Sequence, residues 1–472
     1  MGLVWGGGSA RAWVRGLVRK SVCTWGCMVW LVPLALAGAP SPGLAQAAAE
    51  VPAAEFVALP GQGYGLLSRP AGGAPRARVA VLVMHPTLSS LEHAACARLA
   101  ALGHVALCAN AGTLNRAYGY GGYEAQAPAI RAAVERLRAE PGVGAVALLG
   151  HGAGAPMMAF YQNVALNGPG ACQRPQAIAP CDAAGLSELP AADALILLDP
   201  ELGQAFEMLG ALDPAIVVES SPAQRDPALD MYAPRNGFDP GRNAGAYPPA
   251  FRKAFFAAQA ARAARLVDEA RRLSTMVAVR DSEALADDMP FFVAGAVSAR
   301  LWQADVRLLA RTRAPQRVIG EDGAEARRVL VSTGLPTVAP REAGSFRAAA
   351  QLSARRYLAG YAILAAPDYE ITEDDVKGVV WDSSPTSAIA NVAGVRSPLF
   401  VAAMTARPHL RPAEMIFDAA ASPAGEKEFI AFDGPGHALT ACAHCPGAGP
   451  ALQAQRRVFE RIAAFLAARF PP

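Results

Sequence analysis

The sequence predicts an α/β fold, a mostly parallel central sheet flanked by helices and carrying a large helical cap insertion. Three observations predict it. Short, continuous apolar runs such as Arg78–Met84 and Ala194–Leu198 alternate with stretches of helical periodicity, the pattern of strands buried on both faces. One such run, Val146 to Leu149, drops into a turn punctuated by Gly150, Gly152 and Gly154 before a helical pattern begins. The alternation then stops after residue 200 and resumes at residue 391.

Taken in order, Phe56–Leu59 and Tyr64–Ser68 read as edge strands, and Arg78–Met84 as a buried strand ending at His85-Pro86. A helix is expected over Leu91–Leu102, with Ser89 and Ser90 as its caps, followed by a strand at Val105–Ala109. Ala127, Ile130, Val134 and Leu137 recur at helical spacing, with Arg131, Glu135 and Arg138 on the wet face. The glycine turn and its helix come next, then a Pro-containing loop bounded by Cys172 and Cys181, then the strand Ala194–Leu198 ending at Asp199-Pro200. Residues 201–390 hold irregular chain and a long helix whose apolar face carries Phe251, Phe255, Ala258, Leu266 and Leu273, with Arg262 interrupting the stripe. The whole block reads as a cap, and a membrane-surface role for the long helix is the less favoured reading. The sheet pattern returns at Pro398–Met404 and Glu428–Phe432, the latter ending at Gly436-His437, and an amphipathic helix with Val458, Ile462, Phe465 and Leu466 closes the chain.

Residues 1–47 read as an export leader. Arg11, Arg15, Arg19 and Lys20 precede the apolar run Val22–Ala37, and Ala45-Gln46-Ala47 is a small-residue cleavage site. The expected localisation is secreted or periplasmic. Those four charges turn the whole-chain net charge of +3 into −1 for the remainder, which removes any compositional case for a nucleic-acid partner. Six cysteines follow the leader, an even number that suits disulfides in an exported protein. Cys172 and Cys181 would close a small ring; Cys442 and Cys445 suit a local disulfide, with a redox pair or half of a metal site as the other readings; the partners of Cys96 and Cys108 are left open.

The glycine turn has the frame of a nucleophile elbow, G-x-S-x-G, with glycine where the serine stands. Together with His85 after a strand, Asp199 after a later one and Gly436-His437 after the last, it resembles the α/β-hydrolase fold superfamily, in its exported bacterial members. The resemblance covers residues 55–200 and 390–470; the core is expected over 48–200 and 391–472, with 201–390 inserted as the lid. It implies the order nucleophile, acid, histidine. His437 matches the catalytic histidine, Gly152 the nucleophile position, Gly150, His151 and Gly154 the rest of the elbow, and the amides of Ala153 and Thr87 the oxyanion hole. The acid is open between Asp199 and Glu414, because Thr405-Ala406-Arg407-Pro408-His409 offers no carboxylate where the family usually has one.

The implied function is hydrolysis of esters or related acyl compounds, with a degenerate elbow. The alternative is a non-catalytic relative that binds a ligand or a protein. Loss of a triad nucleophile leaves only about 10³–10⁴-fold catalysis over water, so ordinary acyl-serine turnover is not expected. The residues imply no cofactor and no metal, and a small apolar or ester-type ligand under the cap. Whether the chain is an enzyme is left open, with activated water at His437 as a third route.

Overall fold

Ten strands build the main sheet of the computed structural model, which describes residues 54–60, 63–71, 78–112, 122–279, 289–296, 299–337, 349–442 and 451–471. The strands are β1 (Ala54–Leu59), β2 (Gly63–Ser68), β3 (Val79–Val83), β4 (Val105–Ala111), β5 (Ala145–His151) and β6 (Ala194–Leu198), followed by Gln316–Ile319, Glu325–Arg328, Leu399–Met404 and Lys427–Phe432. Their spatial order is β1-β2-β4-β3-β5-β6, then Leu399–Met404, Lys427–Phe432, Gln316–Ile319 and Glu325–Arg328. From β4 to Gln316–Ile319 every pairing is parallel, and β1, β2 and Glu325–Arg328 add antiparallel edges. This is the α/β-hydrolase fold, with the elbow where β5 meets its helix.

The strands are parallel and buried because both faces are covered. Along β3, Val79, Val81 and Val83 enter one apolar cluster and Ala80 and Leu82 the other. This is the alternation a pleated strand imposes. On one side lie α1 (Ala94–Ala101) and the closing helix Ala451–Arg469, whose Phe465 packs on Phe400. On the other lie α2 (Ala127–Arg138) and α3 (Gly154–Asn167). α1 is shorter than the helix the sequence suggests, and the serines do not cap it. Ser89 accepts from Asn110 Nδ2 and the Ser90 amide donates to Asn110 Oδ1, while the His93 ring accepts from the Ala95 amide as the actual cap.

The block 201–390 is not a cap throughout, as expected from sequence. Gln316–Ile319 and Glu325–Arg328 form a hairpin that extends the main sheet beyond Lys427–Phe432. Buried Glu414 fastens this addition, accepting from the amides of Arg313 and Ala314 and from Gln316 Nε2. The rest of the block includes α4 (Gln204–Ala211) and α5 (Pro249–Val279), a 31-residue helix. The buried stripe of α5 runs through Phe255, Phe256, Ala260, Ala263, Leu266, Val267 and Ala270. Its aromatic start is covered by the chain's own rings, Phe251 by Tyr247 and Phe256 by Tyr369. Arg262 sits fully buried in that stripe. Its guanidinium forks onto Glu219 and donates to the carbonyls of Asp213 and Ala294, so the charge that interrupts the pattern is a fastening.

Disulfides join Cys96 to Cys108, between α1 and β4, and Cys172 to Cys181. Cys442 is also disulfide-bonded, and Cys445 lies outside the described residues. So does the expected leader, residues 1–47. Among the described residues no helix is long and apolar enough to cross a membrane.

Candidate active site

The elbow forms because three glycines answer three different demands. A Cβ on Gly150 would stand 2.5 Å from Ala155 Cα, and one on Gly154 would stand 2.7 Å from the Met84 carbonyl oxygen; neither neighbour can retreat, being backbone. Gly152 takes φ +54°, the left-handed conformation that costs a residue with a side chain roughly 1–2 kcal/mol. Its amide donates to Leu198 O at 2.9 Å and its carbonyl accepts from the Glu201 amide at 3.2 Å. The tip of the elbow is thereby laced to the end of β6.

The His437 ring stands over Gly152, the expected nucleophile position. A Cβ built on Gly152 would lie 2.7 Å from His437 Cε1 and 2.9 Å from Nε2, so the imidazole occupies the space a serine would need. On its other edge, Nδ1 is 2.5 Å from Asp199 Oδ2. Asp199, rather than Glu414, is the carboxylate the fold brings to this histidine. It is buried, and its φ of +43° turns the side chain across the end of β6.

Arg407 also claims that carboxylate. It comes from the loop after Leu399–Met404, where the sequence resemblance implied an acid. Nη1 donates to Asp199 Oδ2 at 2.8 Å and to Asp199 O at 2.7 Å, and lies 3.2 Å from His437 Nδ1. Burial would push the Asp199 carboxyl up. The Arg407 charge, with the His437 hydrogen bond, instead holds it well below the usual carboxylate range. Arg407 Nε–H donates to His409 Nε2 at 3.0 Å, and burial with that cation keeps His409 neutral by lowering its pKa far below the ordinary value.

Beneath the site two histidines pin the His437 backbone. The Ala95 amide donates to His93 Nδ1, so neutral His93 carries its proton on Nε2 and donates to His151 Nδ1 at 2.9 Å. His151 Nε2 then donates to His437 O at 2.7 Å. Burial lowers both rings, to about 4 for His93 and about 3 for His151, which keeps this directed chain neutral.

The expected oxyanion residues are Ala153 and Thr87. Ala153 stands at the start of α3 and lines the site, but the Thr87 amide donates to His85 Nδ1 at 3.1 Å, beside the Leu88 amide at 2.9 Å. With Nδ1 accepting twice, and burial lowering its pKa to about 4, His85 is a loop fastener. Pro86 supplies no amide. Among the described residues no group of histidine, cysteine and carboxylate side chains is arranged to hold a metal.

A cavity of about 280 Å³ opens over the elbow, lined among others by Tyr123, Glu201, Glu207, Arg300, Arg407 and His409. Sequence reading missed all six of these as site residues. Only Arg407 left a signal, a basic residue at the family's usual acid position.

No family model matches the chain, and no curated protein matches it. Among solved structures it is similar to DcsB in complex with a substrate analogue, at 10% identity over 89% of this chain and all of that one, TM-score 0.41. It is also similar to Est1E from Butyrivibrio proteoclasticus, at 10% identity over 88% of this chain and 99% of that one, TM-score 0.36. A proline iminopeptidase from Mycobacterium smegmatis gives 11% identity over 88% and 98%, TM-score 0.36.

Proposed function

From the α/β-hydrolase fold of this chain and its altered elbow, we propose an exported ligand-binding relative of the ester and acyl hydrolases that forms no acyl-enzyme at Gly152. The observation that carries this reading is the His437 ring standing in the space a side chain on Gly152 would fill, where nucleophile and base would otherwise face each other across a hydrogen bond. Three further features support it. Arg407 holds the carboxylate that would orient His437, His85 holds the Thr87 amide, and the cavity above is lined by charge. The two disulfides support export to an oxidising compartment.

The deciding experiment is hydrolysis of p-nitrophenyl acetate and butyrate by the chain from residue 48 onward, beside Gly152→Ser and His437→Ala. The expected result is no turnover above background by the native protein. If Gly152→Ser gains activity that His437→Ala removes, the scaffold lacks only its nucleophile.

One observation favours a second reading. The 2.5 Å bond from His437 to Asp199 is the orienting half of a general base, and such a base could act on water without a serine. Native turnover that disappears in His437→Ala would establish it and overturn the non-catalytic proposal.

A further inference from the structure

Two ion pairs on the cavity wall stand open. Arg407 Nη2 and Glu201 Oε1 are 3.6 Å apart, beyond a hydrogen bond. The other nitrogens of Arg407 are in use, Nη1 on Asp199 and Nε on His409, so Nη2 is the donor left for the cavity. Glu201 Oε1 in turn lies 4.0 Å from the point where a Cβ on Gly152 would stand, which sets this donor and acceptor beside the elbow. The neighbouring pair repeats the pattern. Arg300 Nε approaches Glu207 Oε2 at 3.1 Å without making a hydrogen bond to it. All four side chains line the same cavity of about 280 Å³, with Gln303 beside them.

A hydroxyl both donates and accepts. One hydroxyl set against Arg407 Nη2 and Glu201 Oε1 therefore accepts from the first and donates to the second, as a bridging oxygen does between polar groups too far apart to bond directly. A carboxylate ligand would satisfy the guanidinium and face the like charge of Glu201, and an ammonium would do the reverse against Arg407. An apolar ligand would take both groups out of water with no partner. Single waters bridge such pairs one at a time; a ring bearing neighbouring hydroxyls bridges both at once. We infer that the cavity binds a small neutral polyhydroxylated ring, a sugar or cyclitol, whose hydroxyls bridge Arg407 to Glu201 and Arg300 to Glu207. The volume lies at the small end of ligand pockets, which suits one ring rather than a chain of them. This deepens the reading of the cavity as a ligand site and rests on it.

The test is calorimetry at neutral pH on the purified protein, with six-membered rings that differ in hydroxyls and charge. Glucose, xylose and myo-inositol are set against cyclohexanol, cyclohexylamine and cyclohexanecarboxylate. At least one of the first three should bind, and each of the last three should bind at least about tenfold more weakly, because it leaves polar groups of the wall unpaired. Glu201→Leu, checked for an unchanged melting temperature, should weaken the hydroxylated ring at least about tenfold. Glu201→Gln keeps an acceptor oxygen without the charge and should weaken it only about threefold. Unchanged affinity in Glu201→Leu removes the bridge to Arg407, and the inference with it. If cyclohexanol or an ionic probe binds as tightly as the hydroxylated rings, the inference falls while the ligand site stands. If none of the six binds at concentrations on the order of 10 mM, both fall.

Discussion

Single atoms decide the chemistry at the elbow. Without a hydroxyl at 152 the histidine has nothing to deprotonate there, and the ring, bound to Asp199, stands where a side chain at 152 would go. Its backbone is pinned by His151, so the ring is held at the end of a fixed loop. The neighbouring glycine serves packing alone. Gly150→Ala would drive a methyl into the backbone of Gly154 and Ala155, and the expected cost is about 3 kcal/mol, at the upper end of overpacking. Gly425→Ala, whose Cβ meets nothing within 4 Å, should change stability by less than about 0.5 kcal/mol. Urea unfolding of the two variants checks both, and equal midpoints would mean that the elbow relaxes around the methyl.

At the scale of elements, the inserted block 201–390 is fastened to itself by a buried arginine as well as by apolar contact. Arg262 projects from the buried stripe of α5 and ties the segment after α4 to the carbonyl of Ala294, with Glu219 as its counter-charge. Breaking a buried ion pair from one side costs about 3–5 kcal/mol. Glu219 keeps 34% exposure of its side chain, which lets water recover part of its charge. Arg262→Met should therefore lose about 3 kcal/mol, read as a lower urea midpoint. The hairpin Gln316–Arg328 makes the complementary point. Its strands pair with each other at four positions and with the far sheet edge at two, neither strand has a long apolar run, and Glu414 holds it through backbone amides.

Across the whole molecule, the buried titratable groups set how stability follows pH. Burial lowers His85 to about 4, His93 to about 4 and His151 to about 3, and also lowers His104 and His409, from the ordinary 6.5. Between pH 6.5 and about 4 the unfolded chain takes up protons that these folded rings refuse. Their contribution to stability is thus lost as pH falls through that window. Glu124 and Glu207, both raised by burial to about 7 from 4.5, act in the opposite sense, losing stability as pH rises from 4.5 to 7. Five groups outweigh two. The melting temperature should fall steadily from pH 6.5 to pH 4.5, and a flat or rising profile would show that these rings are protonated in the fold.

The residues of β3, β5 and β6 were legible from the sequence because a strand buried on both faces must be apolar throughout, whatever its neighbours. The glycines at 150, 152 and 154 were legible for a similar local reason, since a sharp turn from strand to helix excludes side chains wherever it occurs. That pattern, with the missing serine in it, was determined by sequence alone. The acid was not. Asp199 and Glu414 are both carboxylates near strand ends, and only the order of strands across the sheet puts one at 2.5 Å from His437 and the other under the added hairpin. The Arg407 clasp and the set of residues around the cavity were likewise decided in three dimensions. They depend on distances between segments up to 208 residues apart, and electrostatic energies follow those distances rather than sequence spacing.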